Sequence, residues 1–267
     1  MKVHIFHTGK VYIDKALAYK EKSFHPMPYT GWLRGKKTKS WVPVSSYLIE
    51  HPKGLILVDT GWHEEIRYNQ KKHLGRFAYS MYKGQLPPAE SINEKLASLG
   101  LKSRDIDYVF LTHLHSDHAS GLKHVKDAKK ILVSDIEWQA AARKIGYIRS
   151  MWEYVPIQTF PFEAIPYGPF QRGLDVFGDS SLYLIHTPGH TDGMFSVLIR
   201  MNQGWLLLAS DVGYSSKSWE QMILPGVTTN VHNARKSLKW VRDFSKREDC
   251  LQVLANHDPA IDPQVIV

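Results

Sequence analysis

The stretch Thr112-His113-Leu114-His115-Ser116-Asp117-His118 limits what this chain can fold into more than any other. Three histidines and an aspartate fall within six positions, directly behind the apolar run Tyr108–Leu111. Imidazole and carboxylate are natural ligands of zinc and similar borderline cations. In a strand the i, i+2 spacing turns His113 and His115 to the same side, where both can meet one ion. Asp117 and His118 follow once the chain turns, and can reach a second ion beside the first. A lone histidine reads as a loop or core residue. Four potential ligands packed against one strand end do not.

Around this motif the chain reads as buried strands mixed with helices. Leu55–Asp59, Tyr108–His113, Ile131–Asp135, Leu182–His186, Phe195–Arg200, Trp205–Asp211 and Leu251–His257 are apolar runs, rich in β-branched or aromatic types. Glu90–Leu99 follows Pro87-Pro88 and stops at Gly100, a helix with a glycine at its carboxyl end. Ser134-Asp135-Ile136-Glu137 has a capping-box pattern ahead of Trp138–Lys144. A late helix turns Val231, Ala234, Leu238, Val241 and Phe244 inward, and its lysines and arginines, from Arg235 to Arg247, form a solvated face. This mixture predicts an α/β or α+β fold. Three more polar residues end apolar strands: His190 in Thr187-Pro188-Gly189-His190, Asp211 after Trp205–Ser210, and His257 after Leu251–Asn256. Singly, each fits a strand-end residue bonded to backbone. With the first cluster they complete two ligand sets.

Composition narrows the setting. The 267 residues, 43% apolar and 22% charged, exclude a disordered or fibrous chain and suit one domain over 1–267. Aromatic-rich insertions near 62–88 and 147–179 are expected to fold back onto it. Cys250 is the only cysteine, which excludes a disulfide framework and a Cys-rich zinc site. The longest apolar run, Trp205–Ala209, is too short to span a bilayer, and the start lacks a secretory apolar stretch. A cytoplasmic protein with no membrane partner is expected. The net charge of +8 invites a polyanion, but the basic residues are scattered, with Arg34–Lys39 the densest group besides the late helix, and nucleic acid is not the expected partner. Oligomeric state is left open.

The ordered set H-x-H-x-D-H, T-P-G-H, S-D behind a hydrophobic strand and a late histidine resembles the metallo-β-lactamase superfamily, over nearly the whole chain. Val58-Asp59-Thr60-Gly61 matches that family's early strand and turn. The resemblance implies an αβ/βα sandwich, two mixed β-sheets flanked by helices, with a dinuclear site at one edge. It implies one divalent ion on His113, His115 and His190, a second on Asp117, His118 and His257, and Asp211 bridging both; zinc is the expected metal. Asp59 would hold a ligand histidine in its tautomer. A hydroxide between the ions would be the nucleophile.

Several branches of the family are disfavoured. Flavodiiron proteins carry Glu where His115 stands, class B β-lactamases usually carry Cys at Asp211, and glyoxalase II continues into a helical glutathione-binding region past the mid-chain ligands, whereas ten residues follow His257 here. Asp211-Val212-Gly213-Tyr214 is similar to the N-acyl-homoserine lactonase branch, as is Pro43-Val44-Ser45-Ser46-Tyr47-Leu48-Ile49. That implies a lactonase: Tyr214 donates to the substrate carbonyl, and Asp117 passes a proton to the leaving alkoxide. The alternatives are a metallo-hydrolase of another ester or thioester, and a phosphodiesterase or nuclease of the same fold. Met27, Tyr29, Trp32, Trp152, Tyr154, Phe160 and Phe162 are candidate walls for an apolar tail, or simply core. Ser116 stands where some lactonases carry an aromatic. His4 and His7, on an N-terminal strand, are read as packing or surface residues, and Cys250 as a small buried hydrophobe.

Overall fold

Residues 1–267 are described by a computed structural model with fourteen strands in two sheets. In chain order these are β1 (Lys2–Asp14), β2 (Lys39–His51), β3 (Gly54–Val58), β4 (Lys83–Gln85), β5 (Tyr108–Phe110), β6 (Lys130–Ser134), β7 (Ile157–Phe160), β8 (Glu163–Ala164), β9 (Arg172–Asp175), β10 (Leu182–His186), β11 (Phe195–Met201), β12 (Gly204–Ser210), β13 (Cys250–Ala255) and β14 (Val265–Ile266). The helices are α1 (Lys15–Ala18), α2 (Glu65–Tyr68), α3 (Gln70–Met81), α4 (Ile92–Ser98), α5 (Ser116–Ala119), α6 (Asp135–Arg143), α7 (Ser216–Glu220) and α8 (Val231–Phe244). One sheet runs β14-β1-β2-β3-β5-β6-β7 with β4 on β1, the other β13-β12-β11-β10-β9-β8. Each mixes parallel and antiparallel pairs.

The two-residue period of a strand builds the layers. On β2 and β3, Tyr47, Ile49, Ile56 and Val58 point between the sheets, while Leu48 and Leu57 point to the helices. On β12, Leu206 and Leu208 fill the space between the sheets, and Trp205, Leu207 and Ala209 meet Ala234, Leu238 and Val241 of α8. The order is therefore helices, sheet, sheet, helices. This is the expected αβ/βα sandwich.

The seven anticipated strands are all present; the polar ends Asp59, His113, Asp135, Asp211 and His257 lie beyond them, whereas His186 and Arg200 stay within β10 and β11. β5 stops at Phe110, so His113 and His115 sit on a loop rather than a strand. β2 was not anticipated. Pro43, Ser45 and Ser46 blur its alternation, and the proline is accommodated opposite Lys10, where β1 is irregular between His7 and Lys10. The 62–88 stretch folds as α2, α3 and β4, and the 147–179 stretch contributes β7 to one sheet and β8 and β9 to the other. Val231 is exposed, contrary to expectation, because it opens α8 one position beyond the Asn230 cap, before the helix meets the sheet.

Helix α4 begins as its sequence dictates. Ser91 and Glu94 form the reciprocal capping box, and Gly100 takes φ +74 beyond the helix end. Glu94 also grips Arg67 of α2 at 2.6 and 3.1 Å. Chiefly through Arg67, against the cost of burial, its carboxyl is held down to about 2. A depressed carboxylate contributes stability above its unfolded value of about 4.3 and loses that contribution as pH falls towards the folded one. Glu94→Gln is expected to cost about 1 kcal/mol at pH 7, with the gap to the parent narrowing between pH 5 and pH 3 in urea titrations. A gap that stays constant would overturn this account.

Candidate metal centre

All the candidate residues sit just beyond carboxyl ends of strands on one edge of the sandwich: Asp59 after β3, His113–His118 after β5, His190 after β10, Asp211 after β12 and His257 after β13. The chain turns sharply into α5, which presents Asp117 and His118. Gly189 makes the His190 turn possible. It adopts φ +136, and a Cβ there would lie 2.3 Å from the Ala234 backbone of α8.

Four imidazoles are oriented by what their Nδ1 atoms meet. His118 Nδ1 lies 2.8 Å from Asp59 Oδ2, His257 Nδ1 2.8 Å from the Pro43 carbonyl, His190 Nδ1 3.1 Å from the Val227 carbonyl and His113 Nδ1 3.2 Å from Thr112 Oγ1. Donation at Nδ1 leaves the Nε2 lone pair free. His115 is turned the other way, its Nδ1 2.9 Å from His190 Nε2. Asp59 also accepts from Thr112 N and Thr112 Oγ1, both at 2.8 Å.

These atoms converge in three overlapping groups, His113–His115–His190, His113–His118–Asp211 and Asp117–His118–His257, each within 4.8 Å. Asp211 lies between the outer two. Its Oδ2 is 3.4 Å from His190 Nε2, and its Oδ1 is 3.4 Å from His118 Nε2 and from His257 Nε2. Asp117 Oδ2 stands 3.5 Å from His257 Nε2. His113 Nε2, His118 Nε2, His257 Nε2 and Asp211 Oδ1 are buried without any hydrogen-bond partner. Each bare polar atom costs about 1–3 kcal/mol. Cations on these lone pairs would satisfy all four, so the donor set fits a pair of divalent ions.

The electrostatics divide the cluster. Burial, reinforced by neighbouring histidines, holds His113 and His115 well below the usual imidazole value, and burial also lowers His190. Neutral imidazoles are ready ligands. Burial works against the charge of His118 and His257 too, but Asp59 and Asp211 raise the former and Asp211 the latter. Burial alone would raise Asp211; His257 and His118 hold it well below the carboxylate range.

The metallo-beta-lactamase superfamily model matches residues 40–239. The chain belongs to the metallo-beta-lactamase superfamily. It is 30% identical over 226 residues to the N-acyl homoserine lactonase AttM of Rhizobium radiobacter, a match covering 82% of each chain. It is 28% identical over 222 residues to an N-acyl homoserine lactonase of Bacillus cereus, covering 81% of this chain and 82% of that one. In structure it resembles an N-acyl homoserine lactone hydrolase with the product N-hexanoyl-L-homoserine bound at its catalytic metal centre. That likeness has a TM-score of 0.79 at 24% identity, covers 97% of this chain and 93% of the other, and shows the fold.

On this metallo-beta-lactamase scaffold the metal edge closes one end of a cavity of about 520 Å³. His115, Asp117, His190, Asp211 and Tyr214 form its polar end, and Val11, Leu17, Leu74, Met81, Ile145 and Ile148 belong to its apolar wall. Tyr214 is buried and stacks on His257, ring centres 4.7 Å apart. Burial, then Asp211 and Asp117, push its phenol well above the usual value, so it keeps its proton. Ser116 bonds Tyr82 Oη at 2.8 Å, and both line the cavity.

Of the seven residues considered as walls, six aromatics and Met27, only Tyr29 lines this cavity. Phe160 and Phe162 fill the space between the sheets, Trp152 packs under the helices, and Tyr154 is exposed. Met27 and Trp32 lie outside, Trp32 against Phe77. Aromatic density signals burial, not direction. The signal that would have found the wall is the stripe Leu74, Phe77, Ala78, Met81, the i, i+3, i+4, i+7 face of α3.

Glu137 was also missed. Ser134 Oγ accepts from Glu137 N at 3.1 Å, but the expected return bond of a capping box is not made. The carboxylate is wholly buried instead. Its Oε1 accepts from Leu114 N at 3.1 Å and Tyr147 Oη at 2.9 Å, its Oε2 from Thr191 Oγ1 at 2.7 Å and Gly193 N at 3.2 Å. One side chain thus ties the His113–His118 loop to the His190 loop. Glu137→Gln turns an NH₂ group against two donors. It is expected to cost about 2 kcal/mol in urea unfolding and about 10–100-fold in metal affinity by chelator competition. Parental values in both measurements would remove Glu137 from this role.

Proposed function

We propose that the protein is a dinuclear metal-dependent hydrolase that opens N-acyl homoserine lactones or closely related lactones. The observation that supports this reading is a pair of overlapping ligand groups with Asp211 between them and the buried Tyr214 phenol beside them, at one end of an apolar cavity. The lactonase relatives support it. In this reading His113, His115 and His190 hold one ion, Asp117, His118 and His257 the other, and Asp211 both. Five imidazoles with two carboxylates suit zinc. Such ions would supply activation of water, whose pKa they lower from 15.7 towards ~7, and Lewis acidity for the carbonyl.

The chain's own groups do the rest. The apolar wall takes the acyl tail and excludes water around the ester. Tyr214, kept protonated, donates to the carbonyl oxygen, and that bond strengthens as negative charge develops there. Asp117 reaches the cavity from α5; its carboxylate takes the proton released as water adds to the ester carbon and passes it to the alkoxide that departs when the ring C–O bond breaks. Asp59 and Glu137 touch no substrate; they hold the ligand loops in register.

Elemental analysis of protein purified without chelator is expected to find close to two transition-metal ions per chain. Asp211→Ala should deplete both sites, whereas His115→Ala should mainly deplete one. One ion per chain that can be stripped without loss of activity would overturn the dinuclear reading.

Metal-loaded protein is expected to open acyl homoserine lactones. Tyr214→Phe keeps the ring stacked on His257 but removes the donor. Loss of an oxyanion donor commonly costs ~10²–10³ in kcat. With a metal carrying part of the charge the expected loss is about tenfold in kcat, with KM moving less. Turnover of phosphodiesters with lactones untouched would replace the lactonase reading with a nuclease.

A further inference from the structure

The net positive charge of the protein is concentrated in three segments that contribute to the cavity wall. They are 15–39 through Leu17 and Tyr29, 70–81 through α3, and 143–149 through Ile145 to Ile148. Together these segments carry thirteen lysines and arginines against one acidic residue, Glu21, while the rest of the chain has 21 basic and 25 acidic residues and is net negative. Glu21 itself is taken up by Arg34. Lys20, Lys22, Lys36, Lys37, Lys71 and Arg76 are exposed and form no ion pair.

Among these cations stand large apolar side chains in full contact with water. Phe24 and Leu33 are fully exposed, Ile145 is nearly so, and Phe77 is more than half exposed beside Trp32. Leu33 is held out by a backbone with φ +56, a left-handed conformation that costs a leucine about 1–2 kcal/mol and a glycine nothing. Apolar residues ringed by cations are the pattern of a surface that sits in the headgroup region of an anionic bilayer. A nucleic acid would use the cations but has no place for the aliphatic Leu33 and Ile145. A second copy would set one cationic face against another.

We propose that this patch is a docking surface for an anionic lipid membrane. Phe24, Leu33 and Ile145 enter the headgroup layer, and the lysines and arginines meet lipid phosphates. The cavity then opens directly onto the phase in which long-chain acyl lactones accumulate. That purpose rests on the lactonase reading; the docking itself does not. No helix of the structure is long and apolar enough to cross a membrane, and docking requires none.

The test is co-sedimentation of the metal-loaded full chain with vesicles of phosphatidylcholine and phosphatidylglycerol, which reads binding independently of any turnover. Binding is expected to the mixed vesicles, to weaken with added salt, and to fall to background with phosphatidylcholine alone. Leu33→Gly suits its backbone, so it should fold at least as well as the parent, yet partition about tenfold less. Phe24→Ser should behave alike. The double variant Lys36→Glu, Lys37→Glu should lose about twentyfold or more, since each basic residue near such a surface is worth about 1 kcal/mol, or fivefold. The proposal is overturned if the mixed vesicles are not bound, or if Leu33→Gly and Phe24→Ser both bind like the parent. It is equally overturned if a single-stranded oligonucleotide is bound more tightly than the vesicles. A dimer in light scattering that Leu33→Gly dissociates would assign the surface to a second copy instead.

Discussion

The metal edge depends on where four histidines spend one proton. Each ring is tied at Nδ1 to an acceptor on a different part of the chain: Asp59 at the end of β3, the Pro43 carbonyl in β2, the Val227 carbonyl ahead of α8, and Thr112 beside the ligand loop. Pro43 lies within β2, and Asp59 and Thr112 are buried just beyond β3 and β5, so these acceptors hold the rings in place. Their Nε2 lone pairs stay aimed at one small volume, with Asp211 among them. The two sheets matter to the chemistry mainly because they bring these acceptors to a common edge. The same tethers explain why the donors stay bare despite burial, a condition most polar groups in a protein interior avoid.

The polar edge and the apolar cavity divide the work of recognition. Floor residues come from strand-end loops, whose positions are set by the sandwich core. The wall comes from α3, the loop after α6 and the first strand and helix, which surround the edge without entering it. Two wall residues do touch the ligand loops: Tyr82 bonds Ser116, between His115 and Asp117, from beyond the end of α3, and Tyr147 donates to Glu137. The rest of the wall can vary in shape without disturbing the ligands.

What could be read from the sequence follows from this division. The ligand candidates were legible because apolar strands ending in His or Asp combine two independent signals, hydrophobic pattern and donor chemistry, at one position. All seven strand runs behind or beside them carry the same pattern and are present. β2 was obscured by Pro43 and paired serines, although its burial is nearly continuous. The cavity wall was not legible because aromatic residues are abundant wherever a core is thick, whereas the stripe on α3 is short and interrupted by Gly75 at φ +75. Glu137 was invisible for a different reason. A glutamate in the fourth place of S-D-I-E has an adequate local explanation, and only the approach of Leu114, Tyr147, Thr191 and Gly193 from elsewhere in the chain supersedes it.

Backbone strain marks the same edge from another direction. Asp59 and Ser210 both occupy the left-handed region, at φ +57 and +50, the first immediately after β3 and the second as the last residue of β12. Such a conformation costs a non-glycine residue about 1–3 kcal/mol and persists only where its surroundings over-determine it. Here the surroundings are one hydrogen-bonded unit. Asp59 takes two bonds from Thr112, and Ser210 Oγ donates to Thr112 Oγ1 at 2.9 Å. Thr112 precedes His113, Ser210 precedes Asp211, and Asp59 meets His118. A single threonine therefore couples the two strained strand ends to three of the side chains that face the metal edge, and bonds worth about 1 kcal/mol each offset the strain only while all the partners stay in place. The strain and the ligand geometry stand or fall together.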